Sequence, residues 1–116
     1  MTLVFVYGLL KRGFSQYNDL KLRELASFKG MASLPGATMY DEGSYPSIVL
    51  AGNSTVYGEL FDVPSAMLSQ IDSLHPGFEK LQRSVTVEGR PVVCWIYIKR
   101  SAPKASVVNL GRWTKQ

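Results

Sequence analysis

The chain has 116 residues, 46% of them hydrophobic and 19% charged, which suits one domain (1–116) with an ordinary buried core. No apolar run approaches the ~18 residues of a membrane span, and the first residues carry no basic region or cleavage signal, so no membrane partner and a cytoplasmic location are expected. The net charge of +4 is scattered, with no block of like charges, which argues against a nucleic-acid partner and suits a small anionic molecule.

Leu3 to Tyr7 is an apolar, β-branched and aromatic run ended by Gly8, which predicts a buried strand and a tight loop. Leu9 to Tyr17 reads as loop. Asp19 to Phe28 reads as a short helix, or a helix turning into a strand. Lys29 to Tyr40 predicts two strand pieces bent at Pro35-Gly36, and Asp41 to Ser44 is a turn. Tyr45 to Leu50 restarts a strand, Ala51 to Ser54 reads as a hairpin turn, and Thr55 to Val63 is a clear strand.

Pro64-Ser65 opens a helix in which Met67, Leu68, Ile71 and Leu74 recur at helical spacing, and Pro76-Gly77 stops it. Leu81 to Val87 and Val92 to Ile98 are strands around a turn at Glu88 to Pro91, and the tail is loop-like until Leu110 to Trp113. Many strands and one clear helix predict an α+β fold: a small mixed β-barrel or curled sheet with short helices outside, closure removing exposed edges.

Cys94 is the single cysteine and sits in an apolar strand, so it reads as a buried thiol in a reducing compartment. One histidine and one buried thiol assemble neither a metal cluster nor a Ser/His/Asp set, and no metal or cofactor is expected.

Three segments can carry chemistry. In Tyr7-Gly8-Leu9-Leu10-Lys11-Arg12-Gly13, a glycine directly after a strand lets successive N–H groups converge as an anion nest; the same pattern also fits a plain turn. Asp72-Ser73-Leu74-His75-Pro76-Gly77-Phe78-Glu79 holds the only histidine, placed where it could bond the helix end or act as a catalyst. Asp72 sits badly at a helix C-terminus and needs a partner, Arg83 being a candidate. Tyr45-Pro46 fixes an extended entry, and Tyr45 lines a pocket or simply packs.

These pieces, in this order, resemble the γ-glutamylcyclotransferase-like family, which includes AIG2-like proteins and γ-glutamylamine cyclotransferases. Val4 to Gly13 resembles its Tyr-Gly-Thr/Ser-Leu signature, and Tyr45-Pro46 its Tyr-Pro. Val56 to Val63 resembles its Gly-Glu-Leu strand, Ile71 to Leu74 its Leu-Asp-x-Leu helix end, Gln82 to Val85 its Arg-containing strand, and Gly111-Arg112-Trp113 its late Gly-Asp-Trp. The resemblance implies a small mixed barrel and a cofactor-free reaction. In it the α-amine of a γ-glutamyl amine or peptide attacks its own γ-carbonyl, releasing 5-oxoproline. It implies that Tyr7, Gly8, Leu9 and Leu10 bind substrate.

The resemblance fails at the site itself. The family's catalytic glutamate follows Leu-Asp-x-Leu, where this chain has His75. Leu81 stands where a tyrosine precedes the strand arginine, and Leu9 replaces Thr or Ser. A positioned general base contributes about 10²–10⁴-fold in rate, and histidine is a competent base near neutral pH. Three readings stay open: His75 replaces the glutamate, Glu79 swings in, or the barrel binds without turnover. The expectation is altered or lost standard catalysis on γ-glutamyl compounds; the alternative is a non-catalytic anion-binding or interaction module.

Overall fold

β-branched and aromatic residues fill the segments that become strands, and glycine and proline separate them. A computed structural model describes residues 2–115. The strands are β1 (Thr2–Val6), β2 (Ser27–Pro35), β3 (Thr38–Asp41), β4 (Pro46–Val49), β5 (Thr55–Val63), β6 (Glu79–Val87), β7 (Arg90–Ile98) and β8 (Ser106–Val107). The helices are α1 (Ser15–Asp19), α2 (Leu22–Leu25) and α3 (Leu68–Ser73), the last led in by a 3₁₀ turn at Ser65–Met67. No helix among the described residues is long and apolar enough to cross a membrane.

The sheet order β1-β5-β2-β6-β7 closes into a barrel through a parallel pairing of β1 with β7 at Val4 and Trp95. The other barrel pairings are antiparallel. Alternation along β1 divides two apolar layers. Phe5 and Tyr7 belong to a cluster with Leu34, Ile96 and Trp113. Val4 and Val6 face Leu22, Met67 and Ile71 of the helices. Gly58 permits this packing, because a Cβ there would stand 2.3 Å from the Val6 carbonyl oxygen and 2.9 Å from the Phe5 ring.

β3, β4 and β8 form a separate sheet in the order β4-β3-β8. Ala51 to Ser54 is therefore not a hairpin turn: β4 pairs with β3, and this segment carries the chain over to the barrel. The reason lies upstream. The bend at Pro35-Gly36, with Gly36 at φ +73°, swings β3 out of the barrel, and Thr38 Oγ1 then donates to the Ala51 carbonyl at 2.8 Å. The helical region also differs from expectation. α1 begins inside the stretch read as loop, and Lys21 at φ 55° breaks the chain before α2. Of the two expectations for Asp19 to Phe28, the helix turning into a strand is the one observed, since α2 ends at Leu25 and β2 starts at Ser27.

Candidate active site

The chain leaves β1 at Tyr7 and turns at Gly8, where a Cβ would meet Pro46 Cγ at 2.9 Å. The Lys11 N–H closes the turn onto the Gly8 carbonyl at 3.1 Å. Among the described residues, the N–H groups of Gly8, Leu9 and Leu10 donate to no protein acceptor. The loop is held from below. Buried Glu59 of β5 accepts the Arg12 N–H at 2.8 Å, and Lys11 Nζ donates to the Trp113 carbonyl at 2.6 Å.

A cavity of about 190 Å³ opens above this loop. Tyr7, Gly8, Leu9 and Leu10 form one wall; Leu74, His75 and Phe78 form the opposite one. Tyr45, Pro46, Gln16 and Tyr97 line it too, with Phe5, Val6 and Pro76. No aspartate or glutamate lines it among the described residues.

His75 follows the C-terminus of α3. Its Nδ1–H donates to the Ile71 carbonyl at 2.8 Å, since a carbonyl can only accept, and Nε2 keeps its lone pair. The imidazole stacks on Tyr97 with centroids 4.0 Å apart and planes at 13°, and meets Phe78 edge-on at 5.4 Å. Burial pulls its pKa below the ordinary imidazole value, against the opposing pull of the Ile71 bond and Asp72. The ring is therefore neutral at neutral pH. It serves the helix end and faces the cavity at once.

Tyr97 joins the walls. Its hydroxyl donates to Asp72 Oδ1 at 2.5 Å, and its carbonyl accepts the Tyr7 hydroxyl at 2.7 Å. Burial pushes both phenols well above their usual range, so both stay protonated. Asp72 also pairs with Lys80 at 3.1 Å, and the Tyr97 bond holds its carboxyl below the usual range. Its partners are thus Tyr97 and Lys80, not Arg83, which donates to the Gln82 carbonyl.

The structure brings Tyr7, Gly8, Leu9, Leu10, Tyr45 and His75 to one cavity. It leaves Glu79 outside, ion-paired with Arg100 on the surface. Alternation explains this: Phe78 lines the cavity, and its strand neighbour points the other way. Leu81 packs against the barrel core instead. Tyr97 and Gln16 were not singled out from sequence. Nothing in an apolar strand distinguishes Tyr97, and Gln16 lies on an unrecognised helix. Cys94 is buried, and its thiol is pushed up to about 12. Among the described residues no three His, Cys, Asp or Glu side chains gather for a metal.

Comparison with known proteins adds to this geometry. The sequence model of one family, described as Gamma-glutamyl cyclotransferase, AIG2-like, matches residues 4–115. A Vibrio cholerae protein carrying the γ-glutamylcyclotransferase name is 32% identical over 115 residues, covering 98% of this chain and 96% of that one. The γ-L-glutamyl-butirosin B γ-glutamyl cyclotransferase of Niallia circulans is 31% identical over 104 residues, covering 82% of this chain and 65% of that protein. The crystal structure of an AIG2-like protein from Mus musculus has a TM-score of 0.76 at 26% identity, covering 90% of this chain and 82% of that one.

Proposed function

The chain belongs to the γ-glutamylcyclotransferase, AIG2-like family, and from that premise we propose that its cavity takes a γ-glutamyl amine or peptide, with the family reaction altered by an imidazole in the base position. The observation that carries this reading is that His75, its Nδ1 engaged by Ile71 and its Nε2 unprotonated, lines the same cavity as Gly8 to Leu10, whose amides find no protein acceptor among the described residues. Those amides suit the substrate's α-carboxylate, because charge-assisted bonds to backbone N–H are strong. The γ-carbonyl then lies toward His75. Nε2 takes a proton from the α-ammonium, the freed amine attacks the γ-carbonyl, and the imidazolium passes its proton to the departing nitrogen. The extra proton remaining on the nitrogen of the new ring leaves with the free amine as its ammonium. The ring amide forms, the γ-amide breaks, and 5-oxoproline and a free amine leave. Tyr45 and Phe78, edge to face at 6.3 Å, flank the departing group. The free thiol of Cys94 fits a reducing, cytoplasmic setting.

Turnover is expected to be slow. A neutral imidazole cannot attract the substrate ammonium as a carboxylate does, and a weakened base forfeits part of a factor of about 10²–10⁴. That no acidic side chain among the described residues lines the cavity also favours a second reading, in which the cavity binds the ligand without cleaving it.

The test is 5-oxoproline release from a panel of γ-glutamyl amines and dipeptides, run beside thermal shift with the same compounds. Slow release that His75→Gln abolishes supports the enzyme. Stabilisation without release supports the binder, and His75→Glu should then create activity. Neither release nor stabilisation sinks both.

A further inference from the structure

We propose that Tyr97 is the positioning residue of this site, setting His75 against the loop that opens at Tyr7. The inference rests on the imidazole's role argued above. The two walls of the cavity come from distant parts of the chain, and although Leu10 packs in one apolar cluster with Ile71 and Leu74, no hydrogen bond among the described residues joins the loop after β1 to the end of α3. Tyr97 touches both. Its ring lies parallel to the imidazole at 4.0 Å, which fixes the plane of His75. The Nδ1 bond to Ile71 fixes the remaining rotation, so Nε2 has one direction left to face.

Its hydroxyl reaches Asp72 at 2.5 Å, on the same helix and one turn before His75. Asp72 is in turn drawn to Lys80 of β6, so α3 is tied to two barrel strands beside the base. Its carbonyl accepts from the Tyr7 hydroxyl at 2.7 Å, and Tyr7 directly precedes Gly8 in the chain. One strand residue thereby sets the spacing between base and anion site. A packing role alone would need neither the parallel stack nor a hydroxyl on a carboxylate; phenylalanine or leucine would serve. The charged and titratable groups around the imidazole are Asp72 and Lys80, the phenols of Tyr97, Tyr7 and Tyr45, and Lys99, whose Nζ lies 5.0 Å from the centre of the Phe78 ring.

His75 is the only histidine, so its ring resonances can be followed without ambiguity. In the ligand-free protein the ring should show the Nδ1–H tautomer and a midpoint below about 6.5. In Tyr97→Leu the tautomers should mix and the midpoint should climb back toward about 6.5. Tyr97→Phe keeps the stack but cuts the tie to Asp72, so it should show a smaller version of the change in Tyr97→Leu, with the tautomers beginning to mix and the midpoint moving part of the way back. Asp72→Asn removes a nearby negative charge and should lower the midpoint further. If Tyr97→Leu does not fold, Tyr97→Phe decides: a tautomer and midpoint equal to the parent's overturns the proposal. In turnover, Tyr97→Leu should lose about 10-fold or more, mainly in kcat, because the carbonyl that holds Tyr7 survives the substitution.

An unchanged tautomer and midpoint in folded Tyr97→Leu overturns the positioning role, whatever the activity. A moved titration in a protein that releases no 5-oxoproline upholds the positioning role and removes the enzymatic reading instead.

Discussion

At the scale of single residues, an imidazole in the cavity wall makes the protein respond to acid. His75 is half-buried and neutral, and the unfolded chain takes up its proton more readily than the folded one. Stability linked to His75 is thus full above the ordinary imidazole value of about 6.5 and falls as pH drops through it toward the lower folded value. Asp72 shifts the same way: its folded carboxyl lies below the ordinary value, so its contribution is present above about 3.9 and lost below. The denaturation midpoint should therefore fall in two stages on acidification, and His75→Gln should remove the upper stage alone. An equal slope between pH 7 and 5 in both proteins would show that His75 is not buried as described. His75 was visible from sequence because a motif brackets it. Tyr97 was hidden because its value comes from a stack and two hydrogen bonds that exist only after β7 passes beneath α3.

At the scale of elements, the loop after β1 owes its shape to β5. Glu59 lies opposite Val6 in the β1–β5 pairing, and its buried carboxylate takes the Arg12 N–H at 2.8 Å with the Arg12 guanidinium nearby at 3.5 Å. Glu59→Leu leaves that amide without its acceptor and should cost about 1–3 kcal/mol. The loss should appear as faster hydrogen exchange at Arg12 and as weaker ligand stabilisation, while Glu59→Gln, which keeps an acceptor oxygen, should lose less. Unchanged exchange in Glu59→Leu would mean the loop holds itself. The bounds of β5 were legible because its residues suit a pleated strand from Thr55 to Val63. α1 was not legible, since none of its five residues is buried and it presents no apolar stripe to read. The pairing of β4 was not legible either, because strand partners depend on contacts that no local pattern encodes.

At the scale of the whole molecule, the C-terminal segment completes the core and is tied through Lys11 to the loop after β1. Trp113 is buried among Phe5, Tyr7 and Ile48. It gets there past Gly111, at φ +66°, where a Cβ would stand 2.0 Å from the Thr55 carbonyl oxygen. The Gly111 carbonyl takes the Tyr57 N–H at 2.8 Å, so the tail is stitched along β5 before it reaches the core. The Trp113 carbonyl then accepts from Lys11 Nζ, which links the tail to the loop after β1. Trp113→Ala should cost about 3–5 kcal/mol, the usual range for deleting a large buried aromatic. Because the tail also anchors Lys11, ligand stabilisation should fall with it. Lys11→Met separates the two effects: it cuts the tie but leaves the core filled. It should keep the denaturation midpoint within about 0.5 kcal/mol, as for most changes away from the core, and still weaken ligand binding. If Lys11→Met binds as well as the parent while Trp113→Ala binds poorly, the tail acts on the site only through global stability. If both bind poorly, the tail is part of the site's frame, and the barrel, loop and C-terminus act as one unit around the cavity.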